Sequence, residues 1–304
     1  MPIWMAFVTL TCIWGSTPLA IQWSQIGLGY PFAVMARMAI GVVLFVLLLP
    51  WLVRQPFLSW RALVVVSVVA GLNLFASMWL LYLGAPDVPS GWISVLFGLG
   101  PMVTGIFGAL WLDEPFPMDK WVGSVFGLIG LLVIFTHGSH AAAYTSSGIG
   151  WVLASVVVAA AGNIAIKRFS REISPMWVAA GSMWVAFPLF VIVFLWSRDP
   201  WPQEVTMRAG MAILYLGLVA NGIGFICFYH LMGRVSVATA YLVTLTAPVV
   251  ALWLGVLFNA ETIQSGLLLG TGLILFGLLL FLGVMPLRRV GAFVKKTQGN
   301  DSTV

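Results

Sequence analysis

The chain has 304 residues, of which 8% are charged and 61% hydrophobic, with a mean hydropathy of +1.06; soluble domains carry about a quarter of their residues charged, so a water-soluble globule is excluded and lipid is the fitting solvent. The net charge of +5 does not mark a nucleic-acid binder, which gathers basic residues on one water-exposed face; here Lys and Arg stand between apolar stretches, as topology signals do. Cys12 and Cys227 both lie inside apolar segments, where a thiol is a small buried hydrophobe, so no disulfide framework is implied.

A membrane-spanning helix needs about 20 mostly apolar residues, and such segments recur at 3–24, 32–53, 62–84, 88–111, 119–136, 148–168, 175–196, 209–231, 236–258 and 263–285. The first opens on Met1-Pro2 with no basic stretch and runs past Pro18, so it is expected to persist as a helix and not as a cleaved signal peptide. It carries Trp14 and Ser16. The second carries Arg37 about two turns in, where a charge is costly and is paired or functional. Two readings stand for it: the side chain reaches the outer face and pairs with Asp87, or it attracts a substrate carboxylate.

The third span holds Asn73, Trp79 and Tyr82, and the fourth Trp92, Ser94 and Pro101. A proline in mid-helix removes one hydrogen bond and clashes with the carbonyl four residues back, so Pro101 is expected to kink its span and free the Phe97 carbonyl. Glu114 ends that span, where a carboxylate suits the N-terminus of the helix that follows. In the fifth span, Gly123-x-x-x-Gly127 is a close-packing spacing. The sixth contributes Asn163, with Lys167 and Arg168 near its inner end read as topology anchors. The eighth brings Asn221, Tyr229 and His230, the last being the remaining titratable candidate for a charge site beside Arg37, although near the cytoplasmic end of a span a histidine is more often a hydrogen-bonded interfacial one. The ninth brings Tyr241, Thr244, Thr246 and Pro248, which is expected to free the Thr244 carbonyl, and the tenth repeats the glycine spacing at Gly266-x-x-x-Gly270.

With the N-terminus cytoplasmic, eleven basic residues (Arg54, Arg61, Lys120, Lys167, Arg168, Arg171, Arg234, Arg288, Arg289, Lys295 and Lys296) fall on the inner face and two, Arg198 and Arg208, outside. That bias predicts cytoplasmic N- and C-termini in an inner (plasma) membrane. Residues 288–304 are polar and aperiodic and read as a disordered cytoplasmic tail.

A shift of 147 positions aligns Gly15 with Gly162, Tyr82 with Tyr229, Pro101 with Pro248, Gly108 with Gly255, Glu114 with Glu261, Gly123 with Gly270 and Gly130 with Gly277. Five spans per half is an odd number, so the second half enters the membrane from the opposite side. The expected fold is therefore all-α integral membrane, with ten transmembrane helices as two inverted five-helix repeats, residues 1–140 and 141–287. Inverted repeats recur in secondary transporters, whose halves exchange roles around a midplane site.

Trp14-Gly15-Ser16, Pro31 with Arg37, Gly100-Pro101-Met102-Val103 to Asp113-Glu114 and Gly123 to Gly130, with the second block Ala247-Pro248-Val249-Val250 to Ala260-Glu261 and Gly270 to Gly277, resemble the EamA family of the drug/metabolite transporter superfamily. The resemblance spans roughly residues 3–284 and occurs twice. It implies an exporter of amino acids or other metabolites, the YddG-type exporters among them. Gly181 in place of a second Arg37, and Asn163 in place of Ser16, depart from strict symmetry.

Few polar groups lie at depth, and a buried amide without partners is costly, so Asn73, Asn163 and Asn221 are expected to face inward with Thr244. Each alone reads as interhelical glue; together they outline a substrate cavity walled by Trp14, Trp79, Tyr82, Trp92, Tyr229 and Tyr241. No Asp or Glu occupies mid-span, which speaks against a carboxylate-coupled proton or cation relay. An intramembrane enzyme would need a metal cluster, a nucleophile with histidine or paired carboxylates. The sequence has none of these, and His137 with His140 lies in a polar loop. Expected are no catalytic residues, no metal and no cofactor; the partners are a small-molecule solute and the bilayer, not nucleic acid. A receptor or structural membrane subunit is the remaining alternative, and it has no need of the repeat.

Overall fold

In hydrocarbon every backbone N–H and C=O must be bonded internally, which leaves helices and closed barrels as spanning structures. The computed structural model describes residues 1–55, 59–84, 87–88, 93, 96–136, 146–197, 201–250 and 265–284, and the elements among them are helices. In chain order they are α1 (Ile3–Gln25), α2 (Tyr30–Leu47), α3 (Trp60–Gly84), α4 (Gly100–Trp111), α5 (Met118–Thr136), α6 (Ser146–Phe169), α7 (Pro175–Ser197), α8 (Met207–Met232), α9 (Val237–Val250) and α10 (Ser265–Phe281). Of these α2, α3, α6, α7 and α8 are long and apolar enough to cross a membrane by themselves. Large apolar side chains on the outside, such as Trp196 at 84% exposure and Leu195 at 69%, suit a lipid-facing belt.

Three features differ from the sequence reading. In the fourth span Ile93, Leu96 and Phe97 are helical, the chain turns at Gly98 and Leu99, and α4 starts at Gly100 with Pro101 in its first turn, where the missing N–H costs nothing. Pro101 therefore stands just after an interruption of the span and not in the middle of one continuous helix. The ninth span turns at Tyr241 and Leu242 before resuming. Within α8, residues Leu216–Gly224 are wound as a π-helix. No sequence signal for this winding was read, although the glycines at 217, 222 and 224 leave the room for it.

Packing relates the two halves. α3 lies on α6 and α1 on α8; α3 also lies on α7, and α2 on α8. Each pair is converted into the other by the 147-residue shift. Helices α5 and α10 cross through glycines, as the spacing led us to expect, but the contacting residues are seven apart. A Cβ added at Gly123 would sit 2.5 Å from the Gly277 carbonyl oxygen, and one at Gly130 2.6 Å from that of Gly270. These crossings show that α5 and α10 are antiparallel, whereas Gly127 faces Leu245 of α9.

Both ends of the described chain lie at the same end of the bundle, where Glu114 before α5 reaches Val237 after α8. Met1 O is 2.9 Å from His230 Nε2 at the end of α8, and the end of α10 meets the start of α5, where Lys120 Nζ lies 5.6 Å from the Phe281 ring.

Candidate functional site

Asn73 on α3, Asn163 on α6 and Tyr241 on α9 form one hydrogen-bonded chain. Asn73 Nδ2 donates to Asn163 Oδ1 at 3.3 Å, and Asn163 Nδ2 donates to the Tyr241 hydroxyl at 2.6 Å. The chain can form because Gly162 has no side chain: a Cβ there would lie 2.1 Å from Asn73. It stays unfinished on one side, since the buried Asn73 Oδ1 has no partner. Such an acceptor costs free energy until a donor reaches it.

Beside it the two broken spans meet. A Cβ on Gly100 would lie 2.6 Å from the Tyr241 ring, so the ring packs on bare backbone. The Thr244 hydroxyl donates to the Phe97 carbonyl at 3.1 Å, the very group expected to be freed by Pro101; it is thus satisfied by a side chain of the opposite half. Pro248 lies in the described part of α9. The Trp14 ring lies tilted against Phe228 at 5.2 Å, and Phe228 meets Tyr241 edge-on at 5.7 Å, with Tyr229 5.8 Å from Phe228. Trp14, Asn73, Asn163, Tyr229, Tyr241 and Thr244 are therefore one neighbourhood, joined through Phe228, which the sequence reading missed.

Other expected site residues stand apart. Trp79 lies parallel to Phe75 at 6.4 Å, and Phe75 packs on Phe190 of α7. Tyr82 meets Tyr30 edge-on at 3.8 Å. Asn221 does not converge with the other amides: its Nδ2 donates to the Arg37 carbonyl at 3.3 Å, because the π-wound segment turns it toward α2. His230 is hydrogen-bonded through Nε2 to the Met1 carbonyl. Trp92 and Ser94 lie outside the described residues.

Arg37 does not reach outward to Asp87. It is only 3% exposed, while Asp87 is on the surface, and its Nη2 lies 3.1 Å from Met78 Sδ. No ion pair joins it to a carboxylate among the described residues, and its Nε is buried without a partner.

At the end of the bundle that holds Met1, Glu114 and Lys167 form an ion pair at 2.6 Å. Asp113 adopts a left-handed backbone (φ 54°), which an aspartate tolerates, and the Glu114 N–H then closes α4 on the Gly108 carbonyl at 3.1 Å. This turn aims Glu114 sideways. Its Oε2 accepts from the Val237 N–H at 3.1 Å, so it caps α9 and not the helix that follows in sequence. Lys167 also donates to the Val235 carbonyl. It is more than a topology anchor: four residues after Asn163, it shares that residue's inward face of α6, a signal the sequence held.

The EamA-like transporter family matches twice, over residues 2–136 and 146–283. A Streptantibioticus cattleyicolor protein named as a probable terminal-alkyne amino-acid exporter is 30% identical over 259 residues, 83% of this chain and 85% of its own. An uncharacterized transporter of Archaeoglobus fulgidus is 26% identical, covering 91% of this chain and 98% of its own. The uncharacterized inner membrane transporter YedA of Escherichia coli is 26% identical over 92% and 90%. One solved crystal structure superposes with a TM-score of 0.75 at 22% identity, over 91% of this chain and 94% of that one, and so shares the fold.

Proposed function

The chain belongs to the EamA-like transporter family, a membrane carrier of small molecules and not an enzyme, and from that premise we propose that it exports amino acids or related amphipathic metabolites by alternating access. The carrying observation is the chain of hydrogen bonds Asn73–Asn163–Tyr241 with the Thr244–Phe97 bond beside it, since it joins both halves where two spans break. Polar groups there suit one charged end of such a solute, while Trp14, Phe228 and Tyr229 cover its apolar part.

In this reading ten spans form two inverted repeats, residues 1–140 and 141–287, followed by a cytoplasmic tail at 288–304. The antiparallel crossing of α5 and α10 and the exchange of helix pairs under the 147-residue shift support it. Both ends of the described chain at one end of the bundle, together with the bias of basic residues, support cytoplasmic termini. The E. coli relative's name supports an inner membrane. The substrate class rests on the name of the S. cattleyicolor relative and on the likeness to exporters of the YddG type. Without a mid-span carboxylate in the sequence, the carrier works by facilitated diffusion or exchange.

The experiment is counterflow of labelled amino acids in sealed proteoliposomes, with and without a pH or sodium gradient. Flux down the solute gradient, unchanged by either ion gradient, is expected. Uphill accumulation driven by an ion gradient overturns the coupling, and a silent amino-acid panel overturns the substrate class.

A further inference from the structure

Among the described residues α2 packs closely on α7 and α8, and α3 on α6 and α7. Between α2 and α3 the bridges are long side chains: Arg37 on Met78, and Tyr30 on Tyr82. Tyr30 and Arg37 are seven residues apart and share one face of α2, as Met78 and Tyr82, four apart, share one face of α3. The two bridges are thus layers about 6 Å apart along α3. Arg37 sits about 10 Å inside the start of α2.

Two donors in these layers have no acceptor: Arg37 Nε and the Tyr30 hydroxyl are both buried without partners. The thioether of Met78 is only a weak acceptor for a guanidinium. A charged group at such depth is ordinarily matched by an opposite charge or lines a substrate path.

The seat is also held from behind. Asn221 donates to the Arg37 carbonyl, and Gly217 brings α8 so close that a Cβ there would lie 3.0 Å from that carbonyl oxygen and 2.5 Å from Ile40. The π-wound stretch of α8, a feature frequent at functional sites, thereby clamps the backbone of α2 while the side chain reaches to α3. A fixed guanidinium fork is suited to a planar carboxylate, which it binds through two parallel hydrogen bonds.

We propose that Arg37 binds the carboxylate of the transported solute, with the Tyr30 hydroxyl as a further donor, so that the carrier selects free acids over their amides. This rests on the amino-acid reading above. The test compares L-phenylalanine and L-methionine with their carboxamides as counterflow substrates in phosphatidylcholine proteoliposomes, for the native chain, Arg37→Lys and Arg37→Met. The native chain is expected to favour the acids by at least about tenfold, as sites built around a hydrogen-bonded group reject analogues lacking it. Arg37→Met abolishes that preference, and Arg37→Lys keeps part of it. Equal native transport of acids and amides overturns the proposal without recourse to any variant, and so covers the case in which Arg37→Met does not fold. Native chain that moves neither form overturns the amino-acid reading, and with it the occupant named here. An Arg37→Met protein with an unaltered acid-to-amide ratio, but stripped of co-purifying anionic lipid, assigns the guanidinium to a lipid phosphate and also overturns it.

Discussion

Asn163 is the residue on which glue and site can be told apart. It bonds both Asn73 and Tyr241, yet interhelical hydrogen bonds in membranes average only about 0.6 kcal/mol, so Asn163→Ala is expected to cost under about 2 kcal/mol of stability. Flux, by contrast, should fall at least about tenfold if the amide orients a solute. Thermal melting of the purified protein beside proteoliposome counterflow separates the two, and a large melting shift with unchanged flux assigns Asn163 to packing alone. Thr244 offers the opposite contrast. Without its hydroxyl the Phe97 carbonyl at the break loses its donor, and an unmade bond of that kind costs about 1–3 kcal/mol; Thr244→Val should melt earlier and Thr244→Ser should not. Residue chemistry was legible in the sequence where polar groups are scarce, as with Asn73, Asn163 and Thr244. Their partners were not, because a side chain at Tyr30 or Phe228 carries no mark in a chain with 20 Phe, 15 Trp and 6 Tyr.

Between elements the decisive residues are the glycines, and their contacts predict which substitutions the helices tolerate. At Gly130 an added Cβ would stand 2.6 Å from the Gly270 carbonyl oxygen and 2.7 Å from Ile274; backbone cannot step aside, so the helices must part, at about 1–3 kcal/mol or more. At Gly127 the obstacle is the Leu245 side-chain terminus at 2.9 Å, which can rotate away. Size-exclusion profiles of the solubilised protein are therefore expected to show Gly130→Ala depleted of monodisperse material and Gly127→Ala close to native. The reverse order would mean that α5 and α10 do not cross as described. Helix existence was readable from apolar runs, since lipid leaves a segment few alternatives. Where a run rewinds was not: the π-wound Leu216–Gly224 is packed on Ile40 and Leu44 of α2 through Gly217 and Gly222, contacts that a linear pattern does not contain.

For the whole molecule the question is what holds one end shut while the other opens. Glu114 ends α4 in the first half, whereas Lys167, Val235 and Val237 belong to the second, so this one carboxylate ties the halves together at the end that holds Met1. The 147-residue shift places Ala20 opposite Lys167, and the other end therefore lacks the cation at that position. Under the alternating access proposed above, this asymmetry is expected to favour closure at the Met1 end, the cytoplasmic end in that topology. Each of the paired side chains is about a fifth exposed, at 21% for Lys167 and 19% for Glu114, so the pair lies between a screened surface contact and a buried one. A loss of about 1.4 kcal/mol on neutralising it multiplies the open population about tenfold. Ile164 lies just inside, with its Cδ1 3.7 Å from where a Cβ on Gly108 would be, and at 1% exposure it reports the opening. In a Cys12→Ser, Cys227→Ser background, Ile164→Cys should react slowly with a membrane-impermeant maleimide in inside-out vesicles. Adding Glu114→Gln or Lys167→Met should speed that reaction about tenfold, while labelling from the opposite face stays low. Unchanged rates with either substitution would make the pair a structural cap on α9 and leave the closing of this end to packing.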